Sequence, residues 1–300
     1  MAAAAGIKTL ANGDSRSYNP AMQKRLLRFG RASTGNLMRD NPRHNVAHVH
    51  AMHIYGANAV YSLIPKNACS TMRVSIAIDN GAIPDAGHIE WIHSNNDTFR
   101  PPLRDLLQAD YTFVVLRCPF ARLASCFIDK FTQHSAPLQK YREVIAKSPR
   151  WNKPGEPISF KSFCLSLTDE AIRSIDIHWR PQGDFLVYDD YDDYFCVERF
   201  GEAVRVIEAK TAMKIVDARP LTQHGIDSIR LLPPGAPAGS VPLSVHRAMR
   251  EKGEAFHPTS LFDDETIAAV RAAYADDLAL FNARFPGSGL FERQRADGTP

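Results

Sequence analysis

Two short segments of the chain carry side chains suited to holding phosphate-like groups. The first is Ile64-Pro65-Lys66-Asn67-Ala68-Cys69-Ser70-Thr71-Met72-Arg73. An apolar run rich in strand formers, Asn58–Ile64, ends there. Pro65 and Asn67 break the run, and Ser70–Asp79 reads as a helix. The first N–H groups of a helix have no partners within it. They point over the preceding turn, where the helix dipole also favours an anion. Ser70 and Thr71 add hydroxyl donors, and Lys66 adds a mobile ammonium. The spacing G-x-x-x-x-G-K-[ST] is missing, which argues against an ordinary ATPase or GTPase. Cys69 sits where a helix start could activate a thiolate. A phosphatase-like loop would want an Arg six residues later, and Ser75 stands there. Packing or hydrogen bonding is the better reading of Cys69.

The second segment is Leu116-Arg117-Cys118-Pro119-Phe120-Ala121-Arg122-Leu123-Ala124-Ser125-Cys126-Phe127. Thr112–Leu116 has the pattern of a strand buried on both faces. Pro119 suits the first position of a helix running to about Phe131. Arg117 falls at the strand's carboxyl end, the edge where parallel α/β sheets bind ligands. Its planar guanidinium matches a phosphate bidentately. Ser125 lies two helical turns on. Arg122 is expected to face elsewhere, toward a structural acid. Two strand-end anion sites imply a ligand with two separated phosphate-like groups.

These segments also carry a family resemblance. Pro65-Lys66-Asn67-Ala68-Cys69-Ser70-Thr71 resembles the 5′-phosphosulfate loop of the carbohydrate sulfotransferases. Arg117 to Ser125 is similar to their 3′-phosphate motif, R-D-P-F-x-R-L-x-S, with Cys118 where Asp is usual. His178-Trp179-Arg180-Pro181-Gln182 resembles a His-Trp-x-Pro element of the Golgi members, and Phe185–Asp189 the strand that follows it. A helix from Asp263, with Tyr274, Asp277 and Phe281, resembles their closing helix. The resemblance spans Asn58 to Phe281.

It implies 3′-phosphoadenosine 5′-phosphosulfate (PAPS) as cosubstrate and adenosine 3′,5′-bisphosphate as product. Pro65, Lys66, Asn67, Ala68, Cys69, Ser70 and Thr71 would hold the 5′-phosphosulfate, and Arg117 and Ser125 the 3′-phosphate. Lys66 would neutralise charge developing on the leaving oxygen. No metal is implied, and no nucleic-acid partner. The acceptor would be a hydroxylated small molecule or a saccharide, whose hydroxyl needs a general base. Between the two loops, Gly87–Ser94 offers His93 first and His88 second. His178 comes third, and Glu90 follows if the histidines fail. The competing readings are a diverged P-loop kinase using magnesium and ATP, and a nucleotide-binding protein without turnover.

Other segments must position these groups. Helices are expected near Met22–Arg31, Leu138–Lys147, Ser159–Leu167 and Arg199–Lys210, and a third strand at Phe185–Tyr188. From Asp263 one helix is expected, because Ile267, Val270, Tyr274, Leu278 and Phe281 share a face. Residues 232–242 read as the least ordered internal loop. The run Tyr188–Tyr194 reads as a solvated acidic loop, and His44, His48, His50 and His53 as arm or surface residues. Strands alternating with helices imply a central, mainly parallel sheet flanked by helices. With the resemblance, this is a P-loop-like three-layer α/β fold over residues 51–286. Residues 1–50 form a basic, partly flexible arm, and residues 287–300 a frayed tail.

Composition is consistent with this. The chain has 300 residues, 44% of them hydrophobic, and 36 Lys+Arg against 33 Asp+Glu. That balance excludes a histone-like nucleic-acid binder. The charge is uneven, since residues 1–50 hold eight Lys/Arg and two Asp/Glu. Five scattered cysteines with no C-x-x-C pair suggest reduced thiols in a cytoplasmic setting. The start makes a poor signal peptide, and no apolar run reaches the ~20 residues of a membrane span. The anchor of the Golgi enzymes is therefore not expected, which points to a soluble, bacterial-type member.

Overall fold

Four short strands form the centre: β1 (Ala51–Ile54), β2 (Ala59–Ser62), β3 (Tyr111–Leu116) and β4 (Asp193–Cys196), side by side in that order. β1 pairs antiparallel with β2, while β2–β3 and β3–β4 are parallel. The structure is a computed structural model that describes residues 25–95, 97–133, 135–221 and 229–292. The helices that matter below are α1 (Pro42–Val49), α2 (Cys69–Asp79), α3 (Pro119–Cys126), α4 (Ala136–Ala146), α5 (Phe160–Ser166), α6 (Phe200–Thr211), α7 (Leu243–Glu251), α8 (Asp264–Ala273) and α9 (Ala275–Arg284).

Successive strand residues point to opposite faces, and both faces are covered. Tyr61, Phe113 and Val115 pack with Met72 and Ile76 of α2 and with Ala203 and Ile207 of α6. Val60, Val114 and Leu116 pack on the other side with Leu123, Phe127, Phe163, Trp179 and Phe281. Burial on both faces is why β3 is apolar at nearly every position. The expected three-layer α/β arrangement with a mainly parallel sheet is what the chain adopts.

Several expected elements differ. Phe185–Tyr188 is not a strand. Gln182–Phe185 is a 3-10 turn, and Tyr188 makes one isolated bridge with Leu27. The strand forms later, out of the acidic run, because that run is pinned to the sheet. Asp192 accepts from the Thr112 amide (2.7 Å) and hydroxyl (3.0 Å) at the head of β3 and pairs with Arg25 at 2.7 Å. The Tyr191 hydroxyl lies 2.6 Å from that of Ser62 and accepts from the Val187 amide. Tyr188 and Tyr191 are buried while Asp189 and Asp190 are exposed, so the run is solvated on one side and packed on the other.

At the start of the described chain, the Leu27–Tyr188 bridge and a turn replace the helix expected around Met22–Arg31; residues 22–24 lie outside the described residues. His44, His48 and His53 are buried rather than superficial. His48 Nε2 lies 2.7 Å from the Pro101 carbonyl, and His50 meets the Phe185 ring edge-on. Residues 232–242 are a loop, but a fastened one. Ala238 donates to the Ser260 carbonyl, and Gly239 accepts from Lys161. A Cβ on Gly239 would collide with the Leu261 carbonyl, so only glycine fits that crossing. Residues 287–292, the start of the stretch expected to fray, pack inward: Leu290 is buried and Phe291 meets Phe120 and Phe262. The closing helix is two helices, α8 and α9, broken at Tyr274. Among the described residues no helix is long and apolar enough to cross a membrane.

Candidate active site

β2 and β3 are parallel neighbours, so their carboxyl ends share one edge of the sheet. The loops leaving them open onto a single cavity of about 640 Å³. Pro65, Lys66, Ala68, Cys69, Ser70, Thr71, Arg117, Ser125 and His93 all line it. Asn67 and His88 do not. Asn67 is wholly buried behind the loop, where Nδ2 donates to the Val115 carbonyl at 2.9 Å and to Gln182 Oε1 at 2.6 Å. His88 ends an exposed 3-10 turn, with Nδ1 3.3 Å from Asp85. His93 lies at the end of the short helix Trp91–Ser94, with Nε2 3.9 Å from Glu90.

The first loop has an uncommon backbone. Lys66 and Ala68 have φ of 73° and 55°, a left-handed region that costs a non-glycine residue about 1 kcal/mol or more. Neighbouring groups hold it there. Arg122 Nε donates to the Pro65 carbonyl at 3.1 Å, and Arg117 Nη1 to the Lys66 carbonyl at 2.9 Å. Among the described residues Arg122 makes no direct ion pair, but the buried carboxylate of Asp277 acts on it through charge, so it does face a structural acid. Its other nitrogens bond the carbonyls of Arg180 (2.7 Å) and Ile177 (3.1 Å), and the residue is buried. A guanidinium offers five donors in a fixed fork, so one side chain fastens the first loop to the His178–Gln182 segment.

The second loop is ordinary by comparison. Cys118 is extended, and Pro119 opens α3. Gln182 holds it at both ends of one residue: Oε1 accepts from the Arg117 amide at 3.0 Å, and Nε2 donates to the Arg117 carbonyl at 2.9 Å. The same Oε1 takes the Asn67 amide, so one glutamine bridges both loops. Its own backbone is fixed by Asp277, which accepts from the amides of Gln182 (2.6 Å) and Gly183 (2.9 Å). The break at Tyr274 makes this possible, because it lets the Tyr274 hydroxyl reach the Trp179 carbonyl while Asp277 reaches Gln182.

Charge converges on the cavity. Lys66, Arg73, Arg117, Lys130 and Arg219 line it, against the two carboxylates Asp129 and Asp217. Asp129 sits in a π-helical turn, Phe127–Phe131, that prolongs α3. Its Oδ2 is 2.8 Å from Lys66 Nζ and 3.1 Å from Lys130 Nζ. Burial pushes this carboxyl up, but the two ammonium groups outweigh burial and hold it at about 2. Such a carboxylate stays ionised and orients Lys66; it is a poor proton acceptor. The far wall is apolar, with Val197, Phe200, Val204 and Ile215. Thr71 Oγ1 accepts from the Ala218 amide at 3.3 Å and ties that wall to α2. All five cysteines are free thiols. Among the described residues no group of three or more His, Cys, Asp or Glu could hold a metal ion.

Two strand-end loops thus share one cationic cavity at a single sheet edge. Residues 56–285 match the sulfotransferase family, most of the described chain. The chain belongs to the sulfotransferase family. Among curated proteins it is 27% identical over 136 residues to carbohydrate sulfotransferase 14 of Danio rerio, covering 41% of this chain and 36% of that protein. It is 26% identical over 132 residues to the Mus musculus carbohydrate sulfotransferase 14, covering 41% and 35%. The chain thus matches little more than a third of the length of these relatives. No solved structure matches it significantly.

Reasoning from the sequence missed Asp129 and Lys130, which line this cavity, and the bridging role of Gln182 behind it. Asp129 was within reach, four residues after Ser125 and so on the same helical face. Gln182 ends the His178–Gln182 segment singled out in the sequence, but its bridging role had no local signal, since its partners Asn67 and Arg117 lie 115 and 65 residues away.

Proposed function

We propose that this sulfotransferase moves the sulfuryl group of PAPS to a hydroxyl of a carbohydrate-like acceptor by in-line displacement. One observation carries the reading: the two strand-end loops open onto the same cationic cavity, as a ligand with two separated anionic groups requires. Lys66, Ser70, Thr71 and the first amides of α2 would take the 5′-phosphosulfate, and Arg117 and Ser125 the 3′-phosphate. The apolar wall at Val197, Phe200 and Ile215 suits an adenine ring. Sulfuryl transfer places negative charge on the leaving oxygen, and Lys66, held by Asp129, is the ammonium placed to meet it. Asn67 supports this site from behind through Val115 and Gln182 and does not touch ligand.

Calorimetric titration with adenosine 3′,5′-bisphosphate, without magnesium, tests the reading. Saturable binding with one site per chain is expected. Magnesium-dependent binding of ATP with none of the bisphosphate would favour a kinase instead. Bisphosphate binding without sulfuryl release from PAPS would favour a binding protein.

A further inference from the structure

We propose that a groove between α4 and α7 is a second anion site, which takes a compact sulfate-type oxyanion through Arg142 and Arg247. The groove has a volume of about 510 Å³ and shares no lining residue with the cavity described above. Its occupancy does not depend on PAPS turnover. Arg142 of α4 and Ile158 line it from one side, and Ser244, Arg247, Ala248 and Glu251 of α7 from the other. Those four residues follow the helical repeat, so they share one face of α7. Ala248 leaves the middle of that face open.

Two like charges meet here. Burial and then the nearby Arg142 charge both work against the Arg247 guanidinium. Among the described residues neither arginine forms an ion pair. Arg247 and Glu251 have the spacing of an intrahelical pair, yet Arg247 Nη2 goes instead to the Phe131 carbonyl at 3.3 Å. A guanidinium has five donors, and Arg247 Nε is buried with no hydrogen-bond partner among the described residues. Arg250 is a contrast on the same helix. Its Nη1 donates to the Ile128 carbonyl at 3.0 Å, so packing accounts for it. Packing does not account for Arg142 beside Arg247. An oxyanion between them would: it relieves the repulsion, and its oxygens match a guanidinium fork. Ser244 adds a hydroxyl, and the start of α7, which has no side-chain cap, adds a favourable dipole. Glu251 sets a negative charge at the far end of the face, which favours a compact head over an extended polyanion. Two sources carry that chemistry, a free sulfate ion and a sulfate ester on a sugar.

The experiment follows the side-chain Nε–H signals of the full chain, isotope-labelled in arginine, by NMR. The probes are inorganic sulfate, galactose 6-sulfate and the neutral methyl β-galactoside. Sodium chloride holds the ionic strength constant, so screening does not change along the titration. We expect sulfate to move the Arg142 and Arg247 signals along one saturable curve. Arg142→Gln, at an exposed position, should weaken the curve read at Arg247 about tenfold. Arg247→Lys keeps the charge but loses the fork, and should weaken the curve read at Arg142 about threefold. Arg117→Ala, in the other cavity, should leave both curves within about twofold of wild type. Tighter binding of galactose 6-sulfate than of sulfate assigns the site to the ester, and equal or weaker binding assigns it to the free ion; both outcomes support the site. The proposal is overturned if neither signal saturates, if Arg142→Gln leaves the Arg247 curve unchanged, or if methyl β-galactoside moves both signals as far as sulfate does. It is overturned as well if sulfate binding is lost in Arg117→Ala and kept in Arg142→Gln, since the ion then binds in the other cavity alone.

Discussion

The two anion loops leave neighbouring parallel strands and enter helices, yet they are built on opposite principles. The loop after β3 has an ordinary backbone, with an extended Cys118 and a proline at the helix start, where proline fits best. The loop after β2 turns through two left-handed non-glycine residues, and its helix has no side-chain cap. Local sequence supports the second loop and opposes the first. The first is held by tertiary contacts: Arg117 and Arg122, on the second loop and its helix, bond its carbonyls, Asp129 beyond that helix holds Lys66, and Asn67 is anchored to Val115 and Gln182. The comparison teaches that the rigid loop templates the strained one. The strained loop is the one assigned to the reacting end of the ligand.

Changes to each loop should therefore have different signatures. The largest effect is expected from Lys66→Ala, which removes the ammonium at the leaving oxygen. Turnover with PAPS should fall about a thousandfold, with bisphosphate affinity reduced no more than about tenfold. Equal losses in both would erase the distinction between the loops.

Arg117→Ala comes next. It removes a charged donor and the bond to the Lys66 carbonyl, so calorimetry should show bisphosphate binding weakened about a hundredfold. Full affinity in that variant would show that the rigid loop does not template the other.

Asp129→Asn tests the link between them. The wild-type carboxyl titrates below its ordinary value of 3.8, at about 2, so it is ionised in the fold when the unfolded chain has begun to take a proton. The stability it contributes is complete above about 3.8 and is lost as pH falls toward 2. Acid unfolding monitored by circular dichroism should show less loss across that window in the variant, which starts lower at neutral pH by roughly 2 kcal/mol.

The smallest effect is expected from Ala68→Gly. Glycine adopts the left-handed region without strain, so relief there should offset its greater chain entropy. The thermal midpoint should rise by about 2 °C or stay level. A clear fall would mean that the Ala68 methyl packs in a way that outweighs its backbone cost.

Much of this was legible in the sequence. Both loops, the helices that follow them and the parallel edge could be placed from Pro65, Ser70, Arg117 and Pro119, because strand ends and helix starts are local events. The strand at Asp193–Cys196 was not legible. Its acidic lead-in looks soluble by composition, and it is pairing with β3, together with the distant partners Thr112, Arg25 and Ser62 of the lead-in, that makes it part of the sheet. The same holds for Arg122 and Asn67. Both types suit ligand binding or ion pairing, and which backbone carbonyls they reach is decided by tertiary placement. His48 of α1 and His53 of β1 look superficial by polarity, but packing around Pro101 and Asn58 buries them.

The clasp of Asp277 on Gln182 and Gly183 has a consequence for the order in which the molecule is made. Gln182 sets both loops, but its backbone is fixed by a residue 95 positions later. Cys118, inside the second loop, accepts from Leu290, 172 positions later. Contacts of such long range form late. As the chain emerges during synthesis, strands β1 to β4 and both loops are complete well before Asp277 and Leu290 can fasten them. Until α9 arrives, the strained turn at Lys66 lacks part of its scaffold. A ribosome paused before Tyr274 would carry a chain with both loops already made and the clasp on Gln182 still missing.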